Sequence, residues 1–178
     1  SCDALFGISK QTKNINEMVL GKKRCKSKII KYIPHGLNHE IFKPINKFGE
    51  EYLKLKNSLE EDGQMDFKLL YNSRNIRRKS IPDTILAWKY FLDTLSKEKR
   101  DKCQLILHTT PIDEHGTDLP EVIRFLFPEE NHNVIISPGK FTTEQMSYLY
   151  NYADGTILLS SAEGWGLALT ESLLTGTP

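Results

Sequence analysis

Two groups of side chains in this sequence have the types and spacing that chemistry would need. The first is the run Asn72-Ser73-Arg74-Asn75-Ile76-Arg77-Arg78-Lys79-Ser80, which carries four cations. Guanidinium and ammonium groups gathered on one loop suit a phosphate dianion or a diphosphate, which accepts several charge-assisted hydrogen bonds at once. A solvated basic loop has the same composition, so the run alone leaves both readings open. The second group is Ser160-Ser161-Ala162-Glu163-Gly164-Trp165-Gly166, with Glu171 eight residues beyond Glu163. Gly164 and Gly166 let backbone approach a ligand closely. They also leave the first N–H groups of a following helix free for an anion. Glu163 and Glu171 could accept hydrogen bonds from paired hydroxyls, as on a sugar or a ribose. Taken singly, Gly-x-Gly also fits a turn, and Glu171 a solvated helix face.

The elements that must position these groups follow from hydrophobic periodicity. Residues 67–71, 104–108, 133–136 and 156–159 read as short buried strands. Ile81, Ile85, Trp88, Leu92 and Leu95 recur at helical spacing, as do Phe48, Tyr52, Leu55 and Leu59. Met146, Leu149 and Tyr150 form a shorter stripe behind Thr142, which with Gln145 makes a capping-box signature. A helix over roughly 167–175, ended by Gly176, follows the glycine-containing loop. Strands alternating with helices predict an α/β fold, a mostly parallel sheet with helices on both faces. In such sheets ligands bind at the carboxyl ends of the strands, which nominates loops 72–80, 109–118, 137–142 and 160–166. On the N-terminal side, 4–8 reads as a strand and Ser9 as a helix cap. Residues 10–20 read as a helix with Ile15, Met18 and Val19 inward, and 28–33 as a second strand, with a boundary near 34–46. The apolar run 4–8 is expected to pack against 28–33, another sheet or another copy of the chain.

Composition sets the outer limits. The 178 residues suffice for a domain with a sizeable core, and 39% hydrophobic content excludes a disordered or fibrous chain. Balanced charge, 24 Lys and Arg against 23 Asp and Glu, argues against nucleic acid as a partner. Cys2, Cys25 and Cys103 are scattered and odd in number, which suggests neither a disulfide framework nor a zinc site. No apolar run reaches bilayer length and no signal-peptide pattern opens the chain, so a cytoplasmic location is expected. A Gly-x-Gly-x-x-Gly fingerprint fails because Leu169 takes the third glycine position, and no P-loop or nucleophile elbow is present. His35 and His39 flank Gly36 and follow Pro34, which argues against a helical metal pair there.

Four segments, in order, resemble the retaining glycosyltransferases of the GT-B fold, in the large group called family 4. They are Ile33-Pro34-His35-Gly36-Leu37-Asn38 with Phe42-Lys43-Pro44, then Ser73-Arg74 with Lys79, then Asp154 with strand 156–159 and Ser160. The last runs from Glu163-Gly164-Trp165-Gly166-Leu167 through Glu171 to Gly176-Thr177-Pro178. The resemblance implies a Rossmann-like fold, the C-terminal half of a GT-B enzyme. Residues 1–33 would be a remnant of the acceptor domain, 34–46 the interdomain connection, and 47–178 the donor-binding domain, with both ends continuing in a longer chain. It implies a nucleotide-diphospho-sugar donor, no metal or other cofactor, and sugar transfer with retention. Arg74 and Lys79 would stabilise the leaving diphosphate. Glu163 with Gly164, Trp165, Gly166 and Leu167 would hold the donor sugar. Glu171 would take the ribose hydroxyls, and loop 137–142, with Gly139, would lie by the base. Ser73 and Ser80 stand where the family has glycines, and His35 where it usually has Asn. A phosphorylase or epimerase of the same fold is an alternative. So is a module that binds polyanions, such as an anionic membrane surface, through Lys22, Lys23, Arg24, Lys26, Lys28 and Lys31. Other expected partners are the missing acceptor domain or a second copy of the chain.

Overall fold

A computed structural model describes residues 2–60, 64–128 and 133–178. By internal contacts these divide into two units, Ser1–Leu37 with Glu163–Gly166, and Asn38–Ala162 with Leu167–Pro178.

The first unit holds β1 (Ala4–Gly7), α1 (Lys10–Cys25) and β2 (Ile29–Tyr32). The strands pair in parallel from Ala4 opposite Ile29 to Gly7 opposite Tyr32, so the run 4–8 finds the expected partner in 28–33. Ser9 caps α1, its hydroxyl accepting from the Thr12 N–H at 3.0 Å. The helix continues past residue 20 to Cys25, broken at Gly21, whose φ of 69° is left-handed. The expected inward stripe of α1 is corrected by the structure: Ile15, Met18 and Val19 face solvent, the last two 78% exposed. Periodicity puts three residues on one side of a helix but does not say which side meets the neighbouring strands. Here Gly7 lies against the backbone of Lys13, so the opposite side of the helix faces β1.

The second unit holds α2 (Glu50–Leu59), β3 (Phe67–Asn72), α3 (Ile81–Asp93), α4 (Lys97–Arg100), β4 (Cys103–His108) and α5 (Leu119–Leu126). It continues with β5 (Val134–Ser137), α6 (Thr143–Tyr152), β6 (Gly155–Thr156) and α7 (Leu167–Leu174). The sheet order is β5-β4-β3-β6, every pair parallel. Strand side chains alternate between the faces, and both faces are covered. Tyr71, Leu105 and Leu107 pack with Ile81, Ile85, Trp88 and Leu92 of α3 and with Leu119 and Ile123 of α5. Leu70 and Ile106 point the other way, into a core with Tyr52 and Leu59 of α2 and with Leu149, Tyr150 and Tyr152 of α6. Each such side chain, buried, contributes about 1.5–3 kcal/mol.

The α3 stripe is as expected except that Leu95 lies past the helix end, packed against the same cluster. Phe48 does not join the α2 stripe; it precedes the helix and is 85% exposed. The strand expected over 156–159 is confined to Gly155–Thr156. Ile157 still donates its N–H to the Leu70 carbonyl, but the chain then leaves the sheet, and Ser161 is bonded instead to the Arg78 carbonyl. Thr142 and Gln145 form the expected reciprocal capping box on α6. Gly176, at φ 82°, ends α7, and its neighbours fasten that helix to α6 and to the sheet: Thr177 donates to the Tyr150 carbonyl of α6, and Pro178 accepts from Thr156 of β6.

Ser80 precedes α3 in the left-handed region, φ 49° and ψ 42°, with no side-chain capping bond. Ser80 stands where the resembling family has a glycine. The left-handed form costs an L-residue about 1–2 kcal/mol, part of which glycine returns as unfolded-state entropy. Ser80→Gly is therefore expected to stabilise the protein by about 0.5 kcal/mol, a rise of about 1–2 °C in Tm. A lower melting temperature in a thermal scan would refute this.

Candidate functional site

Register builds the site. The pairings Asn72 opposite His108 and His108 opposite Ser137 set the last residues of three neighbouring strands in one row at the carboxyl edge of the sheet. Beyond that row lies a cleft of about 580 Å³, lined by the loops after β3, β4 and β5 and by Met146 of α6 and Glu171 of α7. A parallel sheet with helices on both faces leaves this edge as the place where loops converge.

Three sequence-nominated residues meet there: Arg74, Gly139 and Glu171. Arg74 extends into solvent and is held by Asp113, with Nε donating to Oδ2 at 2.9 Å and Nη2 to Oδ1 at 3.4 Å. The His115 N–H braces the same carboxylate at 3.0 Å. The Arg74 bond and the His115 N–H hold the Asp113 carboxyl below its ordinary range. Two of the five guanidinium N–H groups are thus given to Asp113, and the others remain for an anion. A Cβ built at Gly139 would lie 3.4 Å from the Phe141 ring, in van der Waals contact with it. Glu171 is partly buried, and its Oε2 accepts from the Tyr150 hydroxyl at 2.7 Å. Burial raises the Glu171 carboxyl above its usual range, while the Tyr150 bond opposes that rise.

The other nominated residues are placed differently. Lys79 closes a 3-10 turn, Arg77–Lys79, and is only 9% exposed; its carbonyl accepts from the Tyr71 hydroxyl at 2.6 Å. It is not among the residues described as lining the cleft. Leu167 opens α7. Glu163, Gly164, Trp165 and Gly166 group with the N-terminal unit, where Trp165 meets His35 edge-on, ring centroids 5.7 Å apart. Asp154, from the third resembling segment, braces the sheet: its Oδ2 accepts from the Lys68 N–H at 2.8 Å and pairs with Lys68 Nζ at 2.9 Å.

Two cross-links between loops set the shape of the cleft mouth. Asn75, almost wholly buried, donates from Nδ2 to the carbonyls of Thr110, Pro111 and Thr117, and its Oδ1 accepts from the Thr117 N–H at 3.1 Å. Arg78 donates from Nη1 to the Ala162 carbonyl at 2.7 Å, tying the basic loop to the one after β6.

His108 lies outside the nominated loops, while Thr109 and Lys140 lie within them without having been singled out, and all three line the cleft. His108 Nδ1 is 3.2 Å from Ser137 Oγ, and its ring lies 4.6 Å from Phe141. Burial lowers its pKa, with the Ser137 backbone opposing, so the imidazole favours its neutral form. The hydroxyl of Thr109 is buried with no hydrogen-bond partner, which is costly unless a ligand or water supplies one. A polar residue ending an otherwise apolar strand, as His108 ends Leu105-Ile106-Leu107, was the available signal. Among the described residues, no cluster of three or more His, Cys, Asp or Glu is arranged for a metal ion, and no helix is long and apolar enough to cross a membrane.

No protein-family model matches the sequence, and a search of curated proteins returns no relative. Solved structures do match. A sucrose-phosphate synthase from Thermosynechococcus elongatus superposes on all of this chain with TM-score 0.67 at 24% identity, the match covering 40% of that protein. The C-terminal domain of a glycosyl transferase group 1 family protein from Francisella tularensis covers 79% of this chain and 67% of its own, with TM-score 0.58 and 15% identity. A structure from E. coli, described as trehalose-6-phosphate bound with UDP-2-fluoro glucose, covers 97% of this chain and 43% of its own, with TM-score 0.66 and 13% identity. The chain thus spans less than half the length of two of these proteins. Its fold is that of the C-terminal, Rossmann-like half of GT-B glycosyltransferases.

Proposed function

We propose that the chain is the donor-binding part of a glycosyltransferase that moves a sugar from a nucleotide-diphospho-sugar to an acceptor with retention of configuration. The observation that carries this reading is the cleft at the carboxyl edge, whose lining includes both Arg74 and Glu171. A cation and a carboxylate lining one cleft match a ligand that is anionic at one point and rich in hydroxyls at another, as a nucleoside diphosphate is. Thr109 lines the same cleft, and its buried hydroxyl has no hydrogen-bond partner in the protein.

In this reading the diphosphate lies against Arg74, with Lys140 and Thr109 beside it. Charge grows on the diphosphate as the glycosidic bond breaks, and cations already in place lower that barrier without a metal. Lys79, largely withdrawn from water, adds its charge to the same loop. Glu171 takes the ribose hydroxyls, while Gly139, Phe141 and His108 line the base end. The resemblance supports contacts to the donor sugar from Glu163, Gly164, Trp165, Gly166 and Leu167, with the departing phosphate helping to deprotonate the acceptor. The acceptor is held outside this chain, so the chain alone is expected to bind donor without turnover.

Calorimetric titration with UDP, GDP, ADP, a matching nucleotide-sugar and inorganic phosphate tests the proposal. At least one nucleoside diphosphate should bind, and Arg74→Ala should weaken it tenfold or more, since a hydrogen-bonded charge is worth about 1.5–3 kcal/mol. Binding of inorganic phosphate alone would favour a phosphorylase-like relative and overturn the donor reading. Robust sugar transfer by the isolated chain would overturn only the expectation that it does not turn over alone.

A further inference from the structure

We propose that Tyr150 is a positioning residue of the cleft: its hydroxyl holds one oxygen of Glu171 so that the other meets the ribose hydroxyls of a bound nucleoside diphosphate. This rests on the donor reading above. Tyr150 is fully buried in α6, and its ring packs edge-on against Phe42. Its backbone carbonyl accepts from the Thr177 hydroxyl at 2.8 Å. The hydroxyl has two partners. It donates to Glu171 Oε2 at 2.7 Å and accepts from Asn72 Nδ2 at 2.8 Å.

An amide N–H can only donate, so Asn72 occupies an oxygen lone pair and directs the single phenolic proton to Glu171. Burial and the neighbouring carboxylate hold the phenol well above its ordinary range, which keeps that proton in place at neutral pH. Asn72 and Glu171 both line the cleft, whereas Tyr150 is not among its described lining residues. Glutamate has three rotatable bonds, and ordering them at the moment of binding would cost affinity. A relay that orders Glu171 beforehand removes that cost only for ligands that use its free oxygen. The relay also begins two residues before Arg74, so one strand end carries both the guanidinium for the diphosphate and the anchor for the ribose contact.

The test is calorimetry on Tyr150→Phe with UDP, GDP and ADP, their 2′,3′-dideoxy counterparts, and inorganic pyrophosphate. The ribonucleotide that binds is expected to lose about tenfold in affinity. The dideoxy form and pyrophosphate should change less than twofold, so that discrimination between ribose and dideoxyribose collapses. Equal losses on all ligands would mean a merely structural role and overturn the proposal, as would discrimination that survives the substitution. Should Tyr150→Phe fail to fold, Asn72→Leu removes the other end of the relay and should narrow the same ratio; an unchanged ratio there counts against the relay. If the unmodified chain binds no nucleotide, the donor reading itself fails. If it binds and discriminates while the variants discriminate equally well, only the relay fails.

Discussion

Alanine in place of Gly116 is expected to destabilise the protein by about 3 kcal/mol, the upper end of what overpacking costs. A Cβ built there would lie 2.3 Å from the Asn75 carbonyl oxygen and 2.4 Å from its side-chain Oδ1. Neither atom can retreat freely. The Asn75 side chain makes four hydrogen bonds to the loop that carries Gly116, and all of them would have to lengthen together. The same movement would separate Arg74 from Asp113, because Arg74 precedes Asn75 and the Asp113 carbonyl accepts from the Gly116 N–H. Urea unfolding should therefore show a lower midpoint with an unchanged slope, and nucleoside diphosphate affinity should fall with it. Asn75→Ala should cost about 1–3 kcal/mol through its orphaned partners, and the double variant should fall short of the sum. A loss below about 0.5 kcal/mol for Gly116→Ala would show that the loops are not locked in this way.

Glu171→Gln is expected to act in opposite directions on binding and on stability. Ribonucleotide affinity should drop about ten- to a hundredfold, because a charge-assisted acceptor becomes a neutral one. The unliganded fold should gain stability at neutral pH. Burial raises the folded-state pKa of Glu171 above the unfolded value, so the folded chain binds that proton more tightly. Such a group contributes stability that is complete below the ordinary carboxylate range and is lost as pH rises through the elevated value. At neutral pH the ionised carboxylate is therefore a burden, which the neutral amide removes while still accepting from Tyr150. The difference in Tm between variant and parent should shrink toward zero as pH falls into the range where Glu171 is protonated. A variant less stable than its parent at pH 7 would contradict this account.

The sheet and its site were legible to different depths. The α3 stripe and the capping box at Thr142 were readable because the signals are local: spacing on one helix, and two residues three apart. The cleft was readable by rule, since strand ends were recognised and ligand loops follow them. Arg74 was nominated from one of those loops, and Glu171 from its spacing eight residues beyond Glu163. What periodicity lacks is the identity of the facing element. Ile15, Met18 and Val19 share a side of α1, yet that side is turned away from β1 and β2. Lys79 sits in a basic run, but its burial depends on how the 3-10 turn packs after β3. The Asn75 clamp and the Tyr150 relay join residues far apart in sequence through side chains whose types are common in loops and helices. No spacing announces them.

The strand order also bears on how the chain acquires its structure. Strand β3 lies between β4 and β6, and the bridge from Lys68 to Asp154 spans 86 positions. Contacts so distant are slow to form, because a long loop must close before they reward it. During synthesis β3, β4 and β5 emerge well before β6, so one edge of β3 stands open while translation continues. The bonds from Asp154 to Lys68 and from Pro178 to Thr156 would form later, sealing that edge only when α7 has been made.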